Sequence, residues 1–212
     1  MCKIICVTDR RSVKGSFLGQ LEKIARCRPD LMILREKDLD EPEYRALAKE
    51  VGGLCNRYAV PLAVNSFYKT AAELGIKRIH LPLSILRTLT EAEKAEFDVI
   101  GASCHSADEA REAVRLGAGY LIAGHIFETD CKKGLAGRGT GFLKDVCGSV
   151  SVPVYAIGGI SPENAGGCIA AGAEGICMMS SLMKAENVSE YLDSLRGEIY
   201  AKGGCDTLRD NG

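Results

Sequence analysis

Nowhere in its 212 residues does the chain carry an apolar run approaching the roughly 20 residues that span a bilayer, so a membrane-spanning helix is not expected. It lacks an excess of positive charge, the formal net charge being −1. A general nucleic-acid binder needs surplus lysine and arginine to neutralise phosphates, so any basic patch must be local. Histidine is scarce, with three residues at positions 80, 105 and 125. The ten cysteines, at 2, 6, 27, 55, 104, 131, 147, 168, 177 and 205, include no C-x-x-C pair and no regular disulfide framework. Most lie inside apolar runs, where cysteine behaves as a small hydrophobe, and a reducing cytoplasm is the expected compartment. Only Cys104 and Cys131 fall in loops that could face a site. The opening Met1–Asp9 is too short and too quickly charged for a signal peptide, and reads as a first strand.

What is present is ordinary globular composition, 46% hydrophobic and 26% charged. Short runs rich in Val, Ile, Leu and Ala recur at Lys3–Thr8, Leu31–Arg35, Pro61–Asn65, Arg78–Leu81, Val99–Ser103, Tyr120–Gly124, Val152–Gly158 and Gly175–Met179. Near-continuous apolar character, without strict alternation, suits parallel strands covered on both faces. Helix starts lie between them. Asp40, Thr90, Ser106 and Asn187 each precede a glutamate by three positions, and Ser161 precedes Pro162. Gly75, Gly117 and Gly172 sit where helices should end.

Eight strands alternating with helices, without a composition break, predict a single-domain (β/α)8 TIM barrel over residues 1–202. An open doubly wound sheet fits less well, because the first turn, Thr8–Ser12, lacks G-x-G-x-x-G. Residues 203–212 are polar and glycine-rich and are expected to form a disordered tail.

A barrel carries its active site at the carboxyl ends of its strands, and here those ends collect polar residues and all three histidines. Gly158-Gly159, with Met179-Ser180-Ser181 after the last strand, are candidates for a phosphate seat through exposed backbone N–H groups. Arg35 and Lys37 should face one way and Glu36 the other, leaving two cations for an anionic substrate. Asn65 and Ser103 stand at further strand ends, and Thr129 and Lys132 lie in the loop after the sixth strand. His80 reads as a hydrogen-bonded core residue and His105 as the entrance to a helix. His125, beside the basic glycine-rich loop, is the candidate acid/base, since imidazole both takes and gives a proton near neutral pH.

Val7-Thr8-Asp9, Leu34-Arg35-Glu36-Lys37, Val64-Asn65, Ile79-His80-Leu81, Gly101–His105 and Ala156-Ile157-Gly158-Gly159-Ile160 together resemble the thiamine phosphate synthase and TenI family. Synthases of that family carry an aspartate after the third-strand asparagine and another soon after the fourth-strand H-L, both holding Mg²⁺. Here Asn65 is followed by Ser66, and His80-Leu81 by Pro82-Leu83-Ser84-Ile85. Where synthases have G-P and then T-x-T-K, this chain has Gly124-His125 and Thr129-Asp130-Cys131-Lys132, a pattern similar to TenI.

The resemblance therefore implies a thiazole tautomerase, an isomerase of thiamine biosynthesis. Its substrate would be a non-aromatic carboxythiazole phosphate, converted to the aromatic isomer by proton transfer through His125. No cofactor or metal is expected, and neither nucleic acid nor membrane. A homodimer is compatible with the residues but required by none. Two alternatives stay open. One is a thiamine phosphate synthase joining hydroxymethylpyrimidine pyrophosphate to thiazole phosphate, and the other a non-catalytic thiazole or thiamine phosphate-binding homologue.

Overall fold

The apolar runs become parallel strands because each buries both faces. In β1 (Lys3–Val7), Ile5 and Val7 point into the barrel, while Ile4 and Cys6 join the layer beneath the helices. The remaining strands are β2 (Leu31–Leu34), β3 (Leu62–Asn65), β4 (Arg78–Pro82), β5 (Val99–Cys104), β6 (Tyr120–Gly124), β7 (Val154–Ile157) and β8 (Gly175–Met178). Each pairs with its sequence neighbours, and β8 returns to β1 through Lys3↔Gly175 and Cys6↔Met178, closing the barrel. The computed structural model describes residues 2–129 and 134–202. The sequence-predicted tail at 203–212, Cys131 and Lys132 lie outside the described residues. Every expected strand forms, with no end shifted by more than two residues and β6 matching at both ends.

The helices are α1 (Phe17–Arg26), α2 (Glu41–Arg57), α3 (Tyr68–Glu73), α4 (Leu83–Leu86), α5 (Glu91–Lys94), α6 (Ala107–Arg115), α7 (Gly139–Ser149), α8 (Pro162–Ala170), α9 (Ser180–Lys184) and α10 (Val188–Lys202). Their caps follow the residue signals. Asp40 and Thr90 form reciprocal capping boxes with Glu43 and Glu93. The Ser106 side chain accepts from Glu109 N. Before α8 it is Asn164, not a glutamate, whose side chain accepts from Ser161 N at 2.9 Å. Among the described residues no helix is long and apolar enough to cross a membrane.

Two packed layers result. Inside the barrel lie Ile5, Val7, Ile33, Ala63, Tyr120, Ile122, Tyr155 and Cys177. Outside it, residues such as Leu34, Leu81, Leu121 and Ile176 pack against the helices with no exposed surface. Truncating one of these leucines to alanine would cost about 2–5 kcal/mol, through lost transfer energy and the cavity left behind. Two buried side chains brace the carboxyl-end loops against this scaffold. The Tyr44 hydroxyl on α2 donates to the Leu34 carbonyl at 2.6 Å, and Gln20 Nε2 on α1 donates to Leu182 O and Ala185 O at 2.7 and 2.9 Å.

Candidate active site

A cavity of about 360 Å³ opens at the carboxyl ends of the strands. Its wall brings together Arg35, Lys37, Asn65, Ser103, His125, Thr129, Gly158, Gly159, Met179, Ser180 and Ser181, together with His80 and His105. Val7, Ile33, Ile122 and Ile157 supply apolar surface between them.

The alternation expected at Arg35-Glu36-Lys37 holds although β2 ends at Leu34. Arg35 and Lys37 line the cavity, and Glu36 is buried away from it. Its carboxylate accepts from the Thr8 hydroxyl at 2.7 Å and from Arg10 N at 3.1 and 3.2 Å. Burial raises the Glu36 pKa, and these donors pull it back. Arg35 N in turn donates to Thr8 Oγ1 at 2.9 Å. Across the mouth, Arg35 Nη1 lies 4.0 Å from Met179 Sδ, so residues from β2 and β8 share one wall. Glu36 is the residue that the strand pattern leaves without a role, because its partners sit 26 and 28 positions earlier in the chain.

At the next strand ends, Asn65 Nδ2 donates to His80 O at 2.9 Å. His80 is 4% exposed, and burial pushes its pKa down to about 3, so the ring is neutral. Its Nε2 lies 2.9 Å from Ser103 Oγ and its Nδ1 3.2 Å from Tyr120 Oη. The hydrogen-bonded reading of His80 is correct, and the ring also meets the cavity. His105 does mark a helix entrance, its backbone N–H donating to Glu109 Oε2 at 2.7 Å.

His125 stands at the end of β6, joined to Gly124 by a cis peptide bond, and is 6% exposed. Its Nε2 lies 3.0 Å from Ala136 O and 3.3 Å from Leu135 O. Carbonyls accept only, so Nε2 carries the hydrogen, and Nδ1 is buried without a partner among the described residues. Gly158 and Gly159 have φ of +101° and +65°. A Cβ on Gly158 would lie 2.5 Å from His125 Cβ, and one on Gly159 would lie 2.2 Å from Glu128 O. The glycine pair is thus required for the β6 loop to pack over the end of β7, a demand separate from any phosphate. The helix after β8 starts at Ser180, and α9 has only 5 residues. What it offers a phosphate is therefore hydroxyls and amides more than a long helix dipole.

Mg²⁺ takes oxygen ligands, with carboxylates foremost. Ser66, where the family resemblance looks for one acid, lines the cavity, as does Pro82, which opens the acid-free stretch after Leu81, and no Asp or Glu stands among its described lining residues. No group of three or more His, Cys, Asp or Glu is placed to hold a metal ion among the described residues. The residues present do not fit that ion. Cys104 departs from expectation too. It ends β5 with no exposed surface, and burial pushes its thiol up to about 12, so it is no nucleophile at neutral pH.

The closed parallel barrel gathers Arg35, Lys37 and the Gly158-Gly159 turn around a cavity at the carboxyl end of its strands, the face on which barrels of this class carry their sites. Residues 4–182 match the TMP-TENI family, described as thiamine monophosphate synthase, and the chain belongs to it. It is 31% identical over 202 residues to the thiamine-phosphate synthase of Clostridium tetani, covering 92% of this chain and 95% of that one. With thiamine-phosphate synthase 2 of Streptococcus pneumoniae it shares 34% over 204 residues, covering 93% and 95%. The structure superposes on thiamine phosphate pyrophosphorylase from Pyrococcus furiosus with a TM-score of 0.80 at 27% identity, over 94% of this chain and 96% of that one.

These relatives overturn the expectation of a TenI-like isomerase. A tautomerase was inferred from a few departures, namely Gly124-His125, Cys131, Ser66 and the acid-free stretch after Leu81. Similarity spread over nine-tenths of the chain belongs instead to proteins named as synthases, which are transferases. Ser66, Pro82 and His125 line the cavity, while the likeness to the synthases extends over the scaffold as a whole.

Proposed function

We propose that this chain acts as a thiamine-phosphate synthase, joining hydroxymethylpyrimidine pyrophosphate to thiazole phosphate. The observation that carries the reading is its identity of 31% and 34% to relatives of that name across more than nine-tenths of its length. In this reading the thiazole nitrogen lone pair forms a C–N bond to the pyrimidine methylene carbon. The C–O bond to pyrophosphate breaks, and its electron pair leaves with the pyrophosphate. No proton has to move.

The chain's own residues divide the work by position. Arg35 and Lys37 meet the pyrophosphate, whose charge grows as the C–O bond breaks. Lys132, outside the described residues, belongs to the loop that would add a further cation. Gly158, Gly159, Ser180 and Ser181 receive the thiazole phosphate. Asn65, Ser103, Thr129 and Met179 hold the rings between these two anionic ends, and His125 forms the wall beside the joining atoms. Holding both substrates in one cavity lowers the barrier by removing translational and rotational freedom in advance.

The test is incubation with both substrates and Mg²⁺, followed by oxidation of product to fluorescent thiochrome. Thiamine phosphate formation supports the reading. Tight binding of thiamine phosphate with no turnover would replace it with a non-catalytic binding role, which the absence of Asp and Glu from the described lining favours as the second reading.

A further inference from the structure

A chain of three side chains runs from the barrel interior to the cavity. Tyr120, inward-facing on β6, places Oη 3.2 Å from His80 Nδ1, and His80 Nε2 lies 2.9 Å from Ser103 Oγ. Tyr120 and His80 are buried, and His80 and Ser103 both reach the cavity wall. The backbone makes room for this arrangement. Gly101 is the register partner of Tyr120, and a Cβ there would fall 2.0 Å from Tyr120 Cζ.

A neutral imidazole allows two hydrogen-bond patterns. With the hydrogen on Nδ1, the ring donates to Tyr120 Oη and Ser103 donates to Nε2. The Tyr120 O–H then has no acceptor, because His80 is its one hydrogen-bond partner among the described residues. A buried hydroxyl left unpaired is an arrangement that folded proteins rarely accept. With the hydrogen on Nε2, Tyr120 donates to Nδ1 and Nε2–H donates to Ser103 Oγ, so every buried donor is used. Burial keeps the doubly protonated ring out of play, its pKa lying at about 3.

We propose that Tyr120 and His80 fix the direction of the Ser103 hydroxyl, turning its proton into the cavity to meet a hydrogen-bond acceptor on the ligand. The cavity wall is apolar at Val7, Ile33, Ile122 and Ile157, of which Ile122 is the register partner of Ser103, and its cations stand at Arg35 and Lys37. A flat heteroaromatic ring presenting an unprotonated ring nitrogen to Ser103, with its phosphates reaching the cations, is the ligand class that satisfies both. The ring's identity as the pyrimidine rests on the synthase reading; the tautomer does not. Tyr120 and His80 are positioning residues, and Ser103 is the group that touches the ligand.

Nitrogen-15 NMR of histidine-labelled protein at pH 7 reads the tautomer directly, with the His80 signals identified by their loss in His80→Gln. The expected spectrum has a protonated, pyrrole-type Nε2 and a pyridine-type Nδ1; the reverse assignment overturns the proposal. Tyr120→Phe removes the lock. Calorimetric affinity for hydroxymethylpyrimidine pyrophosphate should then fall about five- to tenfold, as expected for one mis-set hydrogen bond, with the circular dichroism unchanged. Two pyridine analogues, each replacing one ring nitrogen with C–H, provide the complementary measurement. One should bind wild type about five- to tenfold more weakly than the parent and bind Ser103→Ala equally well. Unchanged affinity in folded Tyr120→Phe, or analogues that bind wild type like the parent, overturns the role of the hydroxyl. No binding of the parent pyrophosphate to wild type overturns the ligand class. Failure to form thiamine phosphate removes only the synthase reading, because the tautomer and the binding are measured without turnover.

Discussion

The Thr8 hydroxyl and the Glu36 carboxylate meet at 2.7 Å across 28 positions of sequence, and through them the ends of β1 and β2 are held together. The same hydroxyl accepts from Arg35 N, so it sets the backbone that carries the arginine. Thr8→Val keeps the shape but leaves Glu36 short of a donor and the Arg35 N–H unpaired. Urea unfolding should report a loss of about 1–3 kcal/mol. A variant as stable as the wild type would show that this junction is held by other contacts.

Burial of His80 makes stability depend on pH with a defined sign. Its folded pKa of about 3 lies below the ordinary 6.5, so the unfolded chain takes up the proton first. Its contribution is complete above pH 6.5 and is lost as pH falls towards 3, by about 1.4 kcal/mol for each pH unit in between. His80→Gln lacks this group. Between pH 7.5 and 5.0 the wild type should lose more stability in denaturant titrations than the variant does. Equal slopes would refute the assignment.

At Gly159 two constraints coincide, a φ of +65° and a neighbouring Glu128 carbonyl 2.2 Å from any added Cβ. Gly159→Ala must therefore shift the loop after β6 or the turn after β7. The expected outcome is a loss of about 1–3 kcal/mol in stability and weaker binding of thiazole phosphate in calorimetry. Wild-type values for both would mean that the loop adapts at no cost.

Arg35→Met exchanges the cation at the end of β2 for a side chain of similar length. The KM for the pyrimidine pyrophosphate should rise about tenfold or more, and Arg35→Lys should recover part of it, since lysine keeps the charge but loses the planar fork. Steady-state kinetics at low and high salt separates the charge from the shape. If Met and Lys behave alike, charge is not what Arg35 contributes.

The eight strands were legible because parallel strands buried on both faces leave continuous apolar runs, and their caps and C′ glycines mark the helices between them. Arg35 and Lys37 were readable too, since side-chain alternation carried past the end of β2. Glu36 was not, because its hydrogen bonds come from residues 26 and 28 positions away. For the same reason Tyr120 read only as a strand residue, its link to Ser103 passing through a third strand. Gly158 and Gly159 were read as a phosphate seat, and their positive φ and tight packing on residues 125–128 add a second reason for glycine. Function was misjudged where a handful of substitutions in the lining outweighed the similarity of the whole chain. Those substitutions are few and local, whereas the likeness to the synthases extends over more than nine-tenths of the chain.

The pairing of β8 with β1 has a consequence in time as well as in space. Arg35 and Met179 face the same opening, so ribosomal synthesis must deliver nearly the whole barrel before both can stand there. A nascent chain halted before Ser180 would hold most of the apolar material yet lack one side of the ligand's berth. A ligand that needs both walls would bind only chains that have closed the ring, and its binding energy would stabilise the closed barrel over any shorter intermediate.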